Sequence, residues 1–219
     1  MKKRPMRPTV YGVLIADVVQ STLRPKMRIF LSEKLAVRSR QHLREKLISL
    51  PYAVTAGDEF QTITSRLASI PEIILDLRIA LQSLSLRIGV GIGSVDDRIA
   101  APVNRVNGEA FQRARKAIDS VKAGSLFKFE TLTAFDSADT DFNQIINMIY
   151  GLQDTLVFGI TRKQWQAIQV FRHNQTLEKT ARQLKLDDST ISRNLKRGYY
   201  WQLAETVKVA EAAISVAFT

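Results

Sequence analysis

Apolar residues along this chain change their spacing several times, and each change marks an element. Residues 9–17 (TVYGVLIAD) are apolar and β-rich and stop abruptly at Asp17, as a buried central strand would. Ser21, Thr22 and Pro25 punctuate the exit. From Lys26 to Ser49, Met27, Phe30, Leu31, Leu35, Leu43 and Leu47 recur at three- and four-residue spacing, which predicts an amphipathic helix stopped by Pro51. Residues 52–55 and 60–64 read as two short strands, with Ala56-Gly57-Asp58-Glu59 as the tight turn of a hairpin. A helix over roughly 66–82 follows. Residues 84–95 (LSLRIGVGIGSV) then form a strand whose glycines call for something close to the backbone. Residues 107–121 read as a further helix and 126–131 as a further strand. Phe142, Ile145, Ile146, Ile149 and Leu152 give 139–160 a helical period, and from Thr161 onward the pattern is helical throughout.

The order β-α-β-β-α-β predicts a split βαβ, ferredoxin-like fold: an α+β chain with an antiparallel sheet and helices on one face. An all-α helix-turn-helix domain follows it. The boundaries fall at 1–135 for the sheet domain, 136–160 for a connecting helical segment and 161–219 for the helical domain. A chain of 219 residues suits two modest domains.

Composition narrows the function classes. With 45% hydrophobic and 24% charged residues, the chain is neither disordered nor fibrous. The absence of Cys excludes disulfides, thiolate metal sites and Cys nucleophiles, and two His argue against a His-rich metal site. No apolar stretch approaches the ~20 residues of a membrane span. The basic N-terminus runs straight into a strand without a signal-peptide core, so a cytoplasmic protein is expected. The net charge of +11 points to a polyanionic partner such as nucleic acid. Residues 1–160 carry 22 Lys+Arg against 16 Asp+Glu, whereas 161–219 carry 10 against 5. Positive charge is therefore densest in the helical part. Eight basic residues between Arg24 and Lys46 face two acidic ones, which reads as a solvated helix face.

Two carboxylates stand where chemistry could occur. Asp17 closes the first strand and Asp58 sits at the hairpin tip, so the predicted sheet brings them towards one edge. Such a pair suits Mg²⁺ or Mn²⁺ bound largely through the phosphates of a nucleotide. Glu59 is a third ligand, a general base, or a residue pointing outward. The competing reading is structural, because Asp at a strand exit or in a Gly-Asp turn is common without any ligand.

Four stretches carry a resemblance. VLIADVVQST resembles the first metal motif of class III nucleotidyl cyclases, and AGDEFQ resembles their second and the GGDEF hairpin of diguanylate cyclases. LRIGVGIGSV is similar to the cyclases' Arg-Ile-Gly strand, and NGEAFQRARKA stands where their late helix does. SatD-family proteins share this set, including GDEF and a Gly-x-Ala-Phe-x-x-Ala-Arg helix, and the chain most resembles that family. The resemblance implies a metal–nucleotide pocket at Asp17 and Asp58, a nucleoside triphosphate as ligand and a homodimer. It also has departures. Where cyclases place an Asn and an Arg on the late helix, this chain has Gln112 and Lys116, with Arg115 one residue early. Ala56 replaces the first Gly of GGDEF.

Residues 175–197 (QTLEKTARQLKLDDSTISRNLKR) carry a second pattern. Thr176 can cap a helix whose inner face is Leu177, Ala181 and Leu184, and the small Ala181 allows a close helix crossing. Asp187-Asp188-Ser189 forms the turn, with Asp188 or Ser189 capping the next helix. Ile191 and Leu195 anchor that helix inward, which leaves Ser189, Thr190, Ser192, Arg193, Lys196 and Arg197 outward. Hydroxyls and cations there suit base edges and phosphates. TARQLKLDDSTISRNLKR resembles bacterial helix-turn-helix domains, with Lys185 where a Gly is usual. Trp165, upstream, reads as core. The competing reading is a helical bundle that packs on the sheet domain and touches no DNA.

Three functions are therefore open. The first is a DNA-binding transcriptional regulator whose sheet domain binds a nucleotide and metal or holds a dimer. The second is a metal-dependent nucleotidyl cyclase. The third is a structural dimer without ligand. The intact second pattern favours the first, and Gln112 and Lys116 weigh against the second.

Overall fold

A computed structural model describes residues 9–19, 27–55, 58–96, 99–100 and 102–218. The strand exit at Ser21, Thr22 and Pro25, the basic residues 2–7 and the turn residues Ala56 and Gly57 lie outside the described residues. The central strand is β1 (Tyr11–Val18), flanked by β3 (Phe60–Thr64) and β4 (Leu86–Gly93), with β2 (Ala53–Val54) and β5 (Thr133–Asp136) at the edges. The helices are α1 (Met27–Arg44), α2 (Ile70–Ala80), α3 (Glu109–Ala123), α4 (Thr140–Phe158), α5 (Arg162–Asn174), α6 (Leu177–Leu184), α7 (Asp188–Arg197) and α8 (Tyr200–Phe218). The chain is thus α+β around a mixed five-stranded sheet of order β2-β3-β1-β4-β5. No described helix is long and apolar enough to cross a membrane.

The expectation of an antiparallel sheet with helices on one face needs two corrections. Three strand pairs are antiparallel, but β5 runs parallel to β4, with Ile88 opposite Thr133 and Gly91 opposite Asp136. A parallel neighbour requires a crossover, and α3 is that crossover. Because β1 alternates its side chains, Leu14, Ala16 and Val18 face α1, α2 and α4, while Val13 and Ile15 face α3. Helices therefore cover both faces, which explains the unbroken apolar run of β1.

The glycines of β4 set the α3 packing distance. A Cβ on Gly91 would stand 2.0 Å from the Ala110 carbonyl oxygen and 2.2 Å from the Ala114 nitrogen. One on Gly89 would stand 2.4 Å from the Ile118 nitrogen. Only glycine allows this helix to lie directly on the strand backbone.

Two predicted elements are placed differently. The strand expected at 126–131 is absent, and pairing begins at Thr133. Phe127 and Phe129 stack face to face, centroids 4.9 Å apart and 2° from parallel, over Gly151 of α4. Their alternation serves a ring stack instead of a sheet face. The first helix ends at Arg44, not Ser49, because Lys46 turns left-handed (φ 55°). The Leu47 N–H then donates to the His42 carbonyl at 2.8 Å, a Schellman closure. His42, within this helix, is fully buried. It bonds Tyr52 Oη (2.8 Å) and Asp76 (3.1 Å) and so ties α1 to the hairpin and α2.

The helices after α4 build a second apolar cluster. Trp165, Ile168 and Phe171 of α5 meet Ala181, Ile191, Leu195, Leu203 and Val207, together with Leu75 and Ile79 of α2. Ala210 and Ile214 continue α8 into the first core. Lys185 closes α6 left-handed (φ 54°, ψ 48°), with Leu186 N–H donating to the Ala181 carbonyl at 3.0 Å. This is again a Schellman closure, made by a residue that pays for its Cβ. The left-handed cost of ~1–2 kcal/mol is partly offset by the greater unfolded-state freedom of glycine. Lys185→Gly is therefore expected to stabilise the protein by about 0.5–1 kcal/mol, read as a raised urea midpoint with unchanged slope.

Candidate functional site

The end of β1, the hairpin and α3 form one corner. Asp17 is nearly buried and shares its sheet face with Arg87, its cross-strand partner on β4. Lys122, on the last turn of α3, forms an ion pair with Asp17, Nζ lying 2.8 Å from Oδ2. Asp17 Oδ1 is buried and has no hydrogen-bond partner among the described residues. Glu59 precedes β3 and receives Arg115 on both oxygens, at 2.7 and 2.6 Å. Lys122 Nζ lies 3.7 Å from Glu59 Oε2, and the Thr55 hydroxyl donates to Oε1 at 3.2 Å. The Arg115 hydrogen bonds hold the Glu59 carboxyl below its usual range against the opposing effect of burial. Arg115 is in turn held more firmly protonated by Glu59, and Asp119 and Asp17 act on it in the same direction.

Other candidates are placed elsewhere. Asp58 lies in the hairpin turn, half-buried, and among the described residues no hydrogen bond or ion pair joins it to Asp17 or Glu59. Gln112 is exposed on α3. Lys116 turns toward β5 and binds Asp136 Oδ1 at 2.7 Å, with Arg113 on the other oxygen at 3.1 Å. Of the late-helix candidates, only Arg115 reaches the corner. Among the described residues, no group of three or more His, Asp or Glu side chains is arranged to hold a metal ion. Lys122 is the residue that motif reasoning missed. It stands seven positions after Arg115 and so on the same helix face, a spacing visible in the sequence.

The helix pair α6–α7 offers a second surface. Thr176 caps α6, its hydroxyl accepting from Lys179 N–H at 3.3 Å. Asp187, not Asp188 or Ser189, is the cap residue of α7, and it makes no side-chain cap bond. Ala181, Ile191 and Leu195 are buried, and Trp165 is core as expected. Ser189, Ser192, Arg193, Lys196 and Arg197 are exposed and Thr190 is half-buried. Arg193 lies along its own helix, with Nε on the Ser189 carbonyl (3.2 Å) and Nη2 on Thr190 Oγ1 (3.1 Å).

A cavity of about 630 Å³ lies away from the carboxylate corner and from α7. It opens between α1, α2, α5 and α6 and is lined by Arg38, Glu72, Asp76, Arg172, His173 and Gln183, among others. Arg172 pairs there with Glu72 and Asp76. Burial pushes the Asp76 carboxyl up, but the His42 bond and Arg172 outweigh it and leave it below the usual range.

Among solved structures, the chain is similar to the crystal structure of a regulator of polyketide synthase expression from Bifidobacterium adolescentis. The match has 14% identity and a TM-score of 0.32, over 97% of this chain and 83% of that one. No curated protein matches the chain. The model of the SatD family matches residues 11–209, and the chain belongs to that family.

Proposed function

We propose that this protein is a DNA-binding transcriptional regulator, with α6–α7 as its helix-turn-helix and α7 as the element that enters the major groove. One observation carries the reading. Ile191 and Leu195 bury one side of α7, and the opposite side exposes Ser189, Ser192, Arg193, Lys196 and Arg197, with the acidic residues of the segment, Asp187 and Asp188, confined to its start. A short helix with an apolar inner face, outward hydroxyls near its start and cations along its length suits base edges and phosphates together. The left-handed Lys185 supports the same reading, since it makes the tight turn that glycine usually makes.

In this reading the sheet domain, 1–135, is ferredoxin-like, which the order β2-β3-β1-β4 with antiparallel neighbours supports. It holds a homodimer or takes a nucleotide with Mg²⁺ or Mn²⁺. A dimer is also supported by α4, in the connecting segment that follows the sheet domain, which exposes Ile145, Met148 and Leu152 and has no Lys or Arg in its 19 residues. In a chain of +11, two copies meet there without basic repulsion. The test is selection from a pool of random DNA duplexes, followed by fluorescence anisotropy on the enriched sequence and sedimentation of the complex. Enrichment of one sequence, bound by two protomers per duplex, is the expected result. Binding that remains equal for all duplexes would remove the regulator reading.

The second reading, a metal-dependent nucleotidyl cyclase acting on a nucleoside triphosphate, is favoured by Asp17 Oδ1, which is buried without a partner among the described residues. Incubation with each NTP and Mn²⁺ should then yield a cyclic product, and absence of product with all four removes that reading.

A further inference from the structure

The corner formed by β1, the hairpin and α3 already contains a cation. Lys122 Nζ stands between carboxylates from two different strand ends, 2.8 Å from Asp17 Oδ2 and 3.7 Å from Glu59 Oε2. Arg115 occupies both Glu59 oxygens. A Mg²⁺ or Mn²⁺ ion shared by both carboxylates at ~2.0–2.2 Å would need the Glu59 oxygens that the guanidinium now uses and the space beside Asp17 that the ammonium now fills. Of the four oxygens, Asp17 Oδ1 is left without a partner among the described residues. The charge count agrees. Asp17, Glu59 and Asp119 act around Arg115, and Arg87 faces Asp17 across the strand pair, so the corner is close to neutral with its own residues alone.

Two features show that the arrangement is not a finished ion pair. Asp17 is 8% exposed and fixed in the central strand, yet its Oδ1 is buried with no partner among the described residues. A buried carboxylate oxygen normally accepts a bond, so this atom is aimed at a position that Lys122 leaves unused. Lys122, by contrast, is 34% exposed in its side chain and belongs to the last turn of α3, one residue before Ala123 and the left-handed Gly124 that end it. Its four-carbon stem can carry the ammonium to solvent by rotamer changes alone, while Asp17 cannot follow.

We propose that Lys122 occupies the cation position between Asp17 and Glu59, and that a divalent cation enters this corner only by displacing its ammonium. The proposal deepens the reading of Asp17 and Glu59 as metal-binding candidates and is independent of DNA binding by α7. It assigns Lys122 a role that none of the four sequence motifs contains. It also changes what the corner would need from a nucleotide, since triphosphate oxygens could draw Lys122 away as the ion arrives.

The test is Mn²⁺ titration of the full-length protein, followed by electron paramagnetic resonance of the free ion. Wild type, Lys122→Met and Lys122→Met/Asp17→Asn are compared, with circular dichroism confirming the fold, and Lys122→Gln replaces the methionine variant if it does not fold. Lys122→Met is expected to bind Mn²⁺ at least tenfold more tightly than wild type, with the gain lost in the double variant. A difference below tenfold overturns the proposal, including the case where neither protein binds Mn²⁺. A gain that survives Asp17→Asn also overturns it, because the ion would then sit elsewhere. DNA affinity measured on the same wild-type sample separates this failure from failure of the regulator reading.

Discussion

Asp154→Ala is expected to lower the unfolding free energy by about 3–5 kcal/mol, the range for removing one partner from a buried ion pair. Asp154 on α4 is fully buried and Arg78 on α2 nearly so, with Nη2 to Oδ1 at 2.8 Å. The pair is also a junction. Arg78 donates to Thr133 Oγ1 on β5 (2.6 Å) and toward the Leu86 carbonyl on β4 (3.4 Å), and Asp154 Oδ2 accepts the Leu132 N–H at 2.7 Å. Alanine would leave a buried guanidinium uncompensated and orphan a backbone N–H at the start of the edge strand. Burial already pushes the Asp154 carboxyl up against the pull of Arg78, so the charge is costly even when paired. The double variant Arg78→Met/Asp154→Leu should therefore recover the part of the loss due to the unpaired guanidinium, since an apolar pair of similar volume often replaces a buried ion pair at little cost. It should not recover the part due to the Leu132 N–H, which stays unpaired. Urea unfolding with unchanged slope checks both. An Asp154→Ala loss below 1 kcal/mol would show that the junction is not what holds α2, α4 and β5 together.

This junction was not legible in the sequence. Arg78 and Asp154 lie 76 positions apart, and neither belongs to a motif or breaks a periodicity strongly enough to signal burial. What could be read was local. Continuous apolarity marked β1 as central, and Gly89 and Gly91 announced the close approach that α3 makes. The alternation of Leu126 to Thr131 misled because Phe127 and Phe129 point into a ring stack on α4. Period alone cannot tell that from a sheet face. His42 falls at the inward position after Leu31 and Leu35, while Leu43, chosen by hydrophobicity, is 38% exposed. At the carboxylate corner, the motifs pointed to Asp17 with Asp58, gave Glu59 only as a further candidate, and directed attention to Gln112 and Lys116, whereas Lys122 joins Asp17 to Glu59. Which side of α3 meets Asp17 depends on the helix lying across the second sheet face, and the one-face expectation hid that. The α6–α7 pair was the most legible part, because the Thr176 cap and the buried anchors are all within about 22 residues, although the α7 cap falls on Asp187 and not on Asp188 or Ser189.

Arg193→Ala and Lys196→Ala should weaken DNA binding in different ways, and the difference tests α7 more sharply than loss of affinity would. Arg193 is at the middle of α7, one turn after Ser189 and Thr190, on the side where a helix entering the major groove meets base edges. Its present bonds to the Ser189 carbonyl and Thr190 Oγ1 are exposed and easily exchanged for a guanine O6 and N7. Removing it should cost about 1–3 kcal/mol on the selected duplex, roughly 5- to 150-fold, and flatten the preference at one base position. Lys196 lies in the last turn, where phosphate contact is the natural role. Its removal should weaken all duplexes about equally and reduce the slope of log affinity against log salt by about one. Neither substitution touches the core, since Ile191 and Leu195 carry the inward packing, so thermal midpoints should stay within a degree or two of wild type. If both variants lose affinity uniformly with unchanged preference, α7 lies along the backbone and another element reads the bases. If neither loses affinity, the basic surface of α7 is not the DNA-binding face. Preference lost with Arg193 and salt slope lost with Lys196 would place the helix in the groove in the orientation its exposed residues require.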